Sequence, residues 1–316
     1  MASIDGKRVL VSGATGFVGA NLVREALEKG AEIHVITRPN SNKWRLATVL
    51  DRIYEHHADI SQYRQIDAEV RNVKPNIIFH TAAYGTNPHE SSLRKMHDAN
   101  IIGTANLVKA AKKRGFELFV NTGSSSEYGP KDTPMKENAS VEPINEYGKS
   151  KAAATILCQS CAQKYNLPIV TLRLFSPYGY FEDRQRLIPS VTLSCLRGEN
   201  PKISSMSFVR DFVFIKDVVA AYMSCDALSA GPGEVFNIGS GQQHTVGDVV
   251  NTIVQLTGAN VTPERGHPQK WPNEPPLWQA DISKAKEMLD WSPVYDLDQG
   301  LAATVDWFSA NATLYE

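Results

Sequence analysis

Arg8-Val-Leu-Val-Ser12 is an apolar, β-prone run that passes straight into Gly13-Ala-Thr-Gly16-Phe-Val-Gly19 and then into a helical pattern from Phe17 to Lys29. A strand that turns through spaced glycines into a helix commits a chain to α/β architecture, because the helix must cross over the sheet to reach the next parallel strand. The alternation continues. Runs suited to strands fall at Arg8–Ser12, Glu32–Thr37, Arg52–His56, Asn76–His80, Leu118–Thr122 and Ile169–Leu174. Helical patterns fill the gaps at Phe17–Lys29, Gln62–Val73, Ser92–Arg114 and Tyr147–Tyr165. This order predicts a doubly wound parallel sheet, with ligands at the carboxyl ends of its strands. From residue 177 proline and glycine thicken and the strands shorten, to Lys202–Ser205, Asp211–Ile215 and Glu234–Ile238. Helices are expected there at Leu187–Arg197, Asp217–Leu228, Val246–Leu256 and Ser283–Leu289.

Gly13, Gly16 and Gly19 allow a tight turn, a close backbone approach to a pyrophosphate and close helix–strand packing, with helix N–H groups facing the phosphates. Residues 1–176 are therefore expected to be a dinucleotide-binding Rossmann domain. Residues 177–316 are expected to form a smaller C-terminal α/β lobe for substrate, with 211–240 returning to the sheet. After the second strand an NAD enzyme shows an acidic residue for the ribose hydroxyls. Here the chain reads Thr37-Arg-Pro-Asn-Ser-Asn-Lys43. Arg38, with Ser41 or Lys43, suits a 2′-phosphate, which points to NADP with NAD as the alternative. The competing reading of Arg38 is a solvated loop charge.

Tyr147 and Lys151 lie four apart at the start of a helical segment, so a phenol and an ammonium share one face. A neighbouring cation stabilises phenolate, which is expected to lower the Tyr147 pKa towards that of a working acid or base. A Tyr/Lys proton relay behind a dinucleotide turn implies redox chemistry at a carbon bearing oxygen. Composition narrows the remaining classes. An apolar share of 42%, a charged share of 21% and a net charge of -1 fit a soluble globular protein and argue against nucleic-acid binding through a bulk cationic surface. No apolar run has membrane-spanning length, and Met1-Ala-Ser-Ile-Asp-Gly-Lys7 lacks a signal-peptide core, so the expected location is the cytoplasm. Four cysteines are too few for a disulfide framework, and Cys158-x-x-Cys161 has no second pair at zinc-site spacing, so core packing is expected and no metal. His56 and His57 read as strand-end residues.

The ordered segments Gly13–Gly19, Asp59-Ile60, His80-Thr-Ala-Ala83, Asn100-Ile-Ile-Gly-Thr-Ala-Asn106, Gly123-Ser-Ser-Ser-Glu-Tyr-Gly129, Tyr147-Gly-Lys-Ser-Lys151, Arg173-Leu-Phe-Ser-Pro-Tyr-Gly179, Arg210-Asp-Phe-Val-Phe-Ile-Lys-Asp217, Phe236-Asn-Ile-Gly239 and Ala280-Asp-Ile-Ser-Lys284 cover nearly the whole chain. Together they resemble the extended short-chain dehydrogenase/reductase family of nucleotide-sugar epimerases, dehydratases and reductases. The resemblance implies that Ser124 hydrogen-bonds the reacting sugar oxygen together with Tyr147, and that Lys151 also holds the nicotinamide ribose. It places Asp59 and Ile60 at the adenine and Ala82 and Ala83 along the cofactor, with Thr15, Phe17 and Asn100 completing that set. It assigns Tyr84, Ser125, Ser126, Ser176, Arg210 and Trp271 to the substrate. Two positions depart from the family. Ser176 stands where members commonly carry Asn, and Trp271 stands where many carry an Arg that clamps the substrate diphosphate. Trp271 is left to stack on a base or sugar, or to pack on Pro275-Pro276, while Lys270, Arg184 or Arg186 can take over the clamp.

Within the family, dehydratases need a carboxylic acid and base directly after the Ser/Thr. Ser125 and Ser126 stand there instead, so 4,6-dehydration is disfavoured. The expected reaction is NADP-dependent reduction of a nucleotide-diphosphate 4-keto-6-deoxyhexose at C4, with 4-epimerisation on a recycled cofactor as the alternative. A non-catalytic NADP-binding sensor ranks lower, because Ser124, Tyr147 and Lys151 are all present. A homodimer is expected through the two long helices, with Ala152-Ala-Ala154, Ile156 and Leu157 as the face.

Overall fold

Apolar residues alternate along each central strand and bury to opposite sides. Val9, Val11, Ile33, Val35, Ile77, Phe79, Val120 and Leu172 enter one core, and Leu10, Ile36, Ile78, Phe119 and Ile169 enter the other. A strand buried on both faces reads as a continuous apolar run, which is why these segments were legible. The computed structural model describes residues 4–86, 90–225, 231–266 and 275–315. Its main sheet has seven strands, all paired in parallel: β1 (Arg8–Ser12), β2 (Glu32–Thr37), β3 (Tyr54–His57), β4 (Ile77–His80), β5 (Leu118–Ser124), β6 (Ile169–Leu174) and β11 (Val235–Ile238). The spatial order is β11-β6-β5-β4-β1-β2-β3. The order reverses between β1 and β4, the kind of switch point at whose strand ends ligands bind in open α/β sheets.

Helices cover both faces. α1 (Phe17–Glu28) lies on one side, and α2 (Tyr63–Val73), α3 (Leu93–His97), α4 (Gly103–Lys112) and α5 (Glu146–Tyr165) lie on the other. The expected single helix Ser92–Arg114 is divided by a π-helical turn at Asp98–Ile102. Of the stretch 211–240, only β11 joins the large sheet. Phe212–Phe214 (β10) pairs instead with Ser176–Tyr178 (β7) in a separate two-stranded sheet. The rest of the C-terminal half holds β8 (Lys202–Ile203), β9 (Val209–Arg210), β12 (His244–Thr245), β13 (Glu264–Arg265), and helices α6 (Leu187–Leu196), α7 (Ile215–Ser224), α8 (Val246–Thr257), α9 (Ser283–Leu289) and α10 (Leu297–Asn311). Val191, Val250, Leu301 and Val305 from these helices belong to the same core as α1, so the C-terminal half is continuous with the α1 side of the sheet.

Candidate active site

Three elements converge at the carboxyl end of the sheet. β5 ends on Ser124, whose hydroxyl accepts from the Ser126 N–H at 3.2 Å, and a short 3-10 turn Ser125–Glu127 follows. α5 starts beside it, capped by Asn145, whose side chain accepts from the Gly148 N–H at 2.7 Å. Gly148 has a physical reason. A Cβ there would stand 2.3 Å from the Ser126 carbonyl oxygen, so only glycine lets the helix start approach the serine turn. Tyr147 and Lys151 then project from the first turns of α5. The Tyr147 phenol lies beside the Ser124 side chain, and Lys151 is only 2% exposed.

The expected lowering of the Tyr147 phenol by Lys151 is not what the geometry gives. Burial pushes the phenol up to about 12, with the Glu127 carboxylate adding to the rise and Arg186 and Ser124 opposing it. Burial also pushes Lys151 down, with Glu127 opposing. Desolvation outweighs charge attraction for both groups, Lys151 being buried and Tyr147 half-buried. Beside Lys151 lies His80, a residue the sequence reading left inside a matching segment without a role. Burial, helped by the Lys151 charge, takes its imidazole down to about 3. The ring stays neutral between Ser12 Oγ at 2.7 Å and Thr104 Oγ1 at 2.8 Å, which ties the end of β1 to α4.

The glycine turn has the shape of a dinucleotide cradle. Gly13 sits at φ +76, and a Cβ on it would come within 2.5 Å of the Ala82 backbone nitrogen. The loops after β1 and β4 therefore close on each other with bare backbone between them. Arg45 was not read from sequence. Its guanidinium donates to the Thr15 carbonyl at 3.2 Å and to the Phe181 carbonyl at 2.6 Å, pinning the turn to the C-terminal half. Asn106 holds the Asp59-Ile60 loop by donating to the carbonyls of Ile60 and Ser61. Asn100, expected along the cofactor, is fully buried. Its amide exchanges hydrogen bonds with the Tyr84 backbone and donates to Ser150 Oγ, so it braces the walls of the site. Thr37 ends β2 and donates to Glu55 Oε1 at 2.6 Å, while Lys43 pairs with Glu55 Oε2 at 2.9 Å. Lys43 is thus engaged by a carboxylate from β3, and Arg38 stays exposed with its backbone N–H bound to Ser41 Oγ at 3.0 Å.

Next to Ser125 stands Trp278, which the sequence motifs do not single out. It stands two residues before the Ala280-Asp-Ile-Ser-Lys284 segment, and that placement was its only signal. Its indole N–H donates to Ser125 Oγ at 3.1 Å, and the Arg210 guanidinium lies 5.6 Å from the ring. The neighbouring Asp211 carboxylate accepts from the N–H groups of Ser240, Gly241 and Ala280 and from Ser240 Oγ, which fixes the strand that carries Arg210. Ser176 begins β7, and its N–H donates to the Asp211 carbonyl. Arg186 reaches the Thr86 carbonyl at 3.4 Å and Glu182 at 3.8 Å, at the same mouth as Tyr147. Arg184 is committed to the Tyr315 carbonyl. Trp271 and Lys270 lie outside the described residues. Among the described residues no group of three or more His, Cys, Asp or Glu side chains is placed to hold a metal ion, and no helix is long and apolar enough to cross a membrane. Cys158, Cys161 and Cys195 are free thiols.

A family model described as the NAD dependent epimerase/dehydratase family matches residues 9–239. The chain belongs to this family. It is 29% identical to the UDP-glucose 4-epimerase of Mycolicibacterium smegmatis, over 95% of this chain and 98% of that one. Among solved structures it resembles the UDP-glucose 4-epimerase of Thermotoga maritima crystallised with UDP-glucose, with TM-score 0.87, 28% identity and coverage of 96% and 99% of the two chains. It also resembles the UDP-glucuronic acid 4-epimerase of Bacillus cereus bound to UDP-glucuronic acid and NAD, with TM-score 0.82, 25% identity and coverage of 96% and 99%.

Proposed function

We propose that this member of the epimerase/dehydratase family reduces the 4-keto group of a nucleotide-diphosphate-linked 6-deoxyhexose, with NADPH as the reductant. The Ser124–Tyr147 pair carries the reading: a phenol beside a hydroxyl at the end of β5 suits proton donation to a sugar carbonyl, and serines at 125 and 126 leave no acid/base pair for dehydration. The Ser124 hydroxyl, beside that phenol at the end of β5, orients the carbonyl oxygen. Tyr147 delivers the proton to that oxygen, and Lys151 keeps positive charge next to the developing alkoxide. The bare-backbone cradle at Gly13, Thr15, Gly16, Phe17 and Gly19 fits a pyrophosphate. Asp59 and Ile60 would flank the adenine, Ala82 and Ala83 would line the cofactor, and Lys151 would hold the nicotinamide ribose. When bound, the nicotinamide supplies the hydride. Arg210 and Trp278 form the wall for the nucleotide diphosphate and sugar. Thr37 in place of an acid at the end of β2, with Arg38 beyond it, supports the 2′-phosphate form of the cofactor.

A second reading, 4-epimerisation with a retained cofactor, is favoured by the two UDP-sugar epimerases of similar length and fold. One experiment separates the two. Nucleotide-linked 4-keto-6-deoxyhexoses with NADPH, and separately UDP-glucose, are incubated with the protein while nicotinamide absorbance and sugar products are followed. One NADPH lost per product supports reduction, isomerisation of UDP-glucose with no net absorbance change supports epimerisation, and turnover of neither class overturns both readings. Fluorescence titration tests the cofactor. NADPH should bind about tenfold or more tighter than NADH, and Arg38→Asp should reverse the order. Equal dissociation constants in the unmodified protein remove Arg38 from the account.

A further inference from the structure

Glu127 takes no part in the chemistry above, yet it is the most enclosed charge beside the reacting group, at 0% exposure. Oε1 accepts from the Ser124 N–H at 2.8 Å and from Thr155 Oγ1 at 3.1 Å, and Oε2 accepts from Arg173 Nε at 2.8 Å. Those donors come from the end of β5, from α5 one turn beyond Lys151, and from β6. Thr155 lies four residues past Lys151, so the bond reaches the face of α5 that carries Tyr147 and Lys151. Room has been made for it. A Cβ at Gly123 would stand 2.8 Å from Glu127 Oε1 and 3.0 Å from Arg173 Cγ.

We propose that Glu127 is a positioning residue for the Ser124–Tyr147–Lys151 group, anchoring Ser124 through its backbone N–H and α5 through Thr155 while setting a fixed negative charge next to the group. The proposal rests on reading those three residues as the reacting group. Burial alone drives a phenol and an amine alike towards their neutral forms. A fixed carboxylate separates them, opposing charge on Tyr147 and favouring it on Lys151. The outcome is the state a proton donor needs, a neutral phenol beside an ammonium. The other groups facing Tyr147 are Arg186, Glu90, Ser124 and Tyr222, and those facing Lys151 are Cys158 and His80. Among the described residues, Glu127 is the carboxylate that acts on both. Arg173 makes so enclosed a carboxylate tolerable, because a buried charge persists only when paired and hydrogen-bonded.

The test uses the full chain labelled with [13Cζ]tyrosine, with the Tyr147 signal assigned by its loss in Tyr147→Phe. Glu127→Gln keeps the shape and removes the charge, so the Tyr147 titration midpoint should fall by about one unit or more. Glu127→Asp keeps the charge but shortens the reach. Its midpoint should stay near that of the unmodified protein, while kcat on the substrate falls with KM little changed. An unchanged midpoint in folded Glu127→Gln overturns the proposal. Because Glu127→Gln leaves Arg173 as a lone buried cation, the double variant Glu127→Gln/Arg173→Gln is read by the same midpoint. Failure of both to fold would make Glu127 a folding element only, which also overturns it. The titration needs no sugar substrate, so a downward midpoint shift with no turnover of any nucleotide sugar sinks the functional reading and leaves this one standing.

Discussion

At the scale of single residues, the proposed mechanism separates a group that transfers a proton from one that aims it. Tyr147→Phe removes the phenol oxygen and keeps the ring, which lies against the loop after β4, where a Cβ on Gly85 would be 3.4 Å from Tyr147 Cδ2. Turnover should fall by about 10²- to 10⁴-fold, the usual worth of a positioned general acid, with cofactor dissociation constants unchanged by fluorescence titration. Ser124→Ala should cost less than Tyr147→Phe in the same assay, since Ser124 aims the substrate oxygen and transfers nothing. Full turnover by Tyr147→Phe would remove the phenol from the mechanism. The proposed trio of Ser124, Tyr147 and Lys151 could be named from sequence because its members sit in short motifs with fixed spacing. The surroundings that set its chemistry could not. Glu127 is three residues from Ser124 in sequence, but its partner Arg173 arrives from β6, and the resulting upward push on Tyr147 depends on enclosure, which no local pattern records.

At the scale of elements, the fold was readable wherever one period dominated. The double-faced strands announced themselves by unbroken apolar runs, whereas α10 went unread although Asp296 and Gln299 form a capping box at its start. The π-turn at Asp98–Ile102 was hidden for a different reason. Its sequence is an ordinary helical pattern, and the extra residue per turn pays off only through Asn100, which reaches both Tyr84 on the loop after β4 and Ser150 on α5. His80 on β4 supplies the element-scale prediction. Its imidazole falls from an ordinary value near 6.5 to about 3 on folding, so between those values the unfolded chain binds a proton that the folded chain does not. Stability from this residue is therefore full above about pH 6.5 and is lost as pH falls towards 3, by up to about 1.4 kcal/mol per pH unit inside the window. Glu182 and Asp211, pushed up to about 8 and about 6, act with the opposite sign, so the comparison must isolate His80. Urea unfolding at several pH values should show a shallower acid loss in His80→Gln than in the unmodified chain, and equal slopes would refute the assignment.

At the scale of the whole molecule, the remaining question is what covers the outer side of the two longest helical units. The sequence pattern offers Ala152-Ala-Ala154, Ile156 and Leu157 as one face, but the structure divides them. Ala152 and Ala154 are buried, and Ala154 packs inward at 0% exposure, because small side chains let α5 lie close on the sheet. Ile156 points outward at 56% exposure, and Ile102, in the π-turn of the adjacent helix, is 46% exposed. Leu93 on α3 and Tyr165 at the end of α5 are exposed as well. Large aliphatic side chains at that exposure on neighbouring helices have no reason to remain in water if a second copy can bury them. A two-fold pairing would set α4 and α5 of one subunit against the same helices of another, an isologous contact that closes on itself and leaves the catalytic mouth at the strand ends open. Sedimentation at micromolar concentration should therefore give a dimer. Ile102→Glu/Ile156→Glu should give a monomer that still binds cofactor, because neither residue touches the glycine turn or the catalytic trio. A monomeric unmodified protein would show that these helices serve only their own sheet, and a dimer untouched by the double variant would place the contact elsewhere.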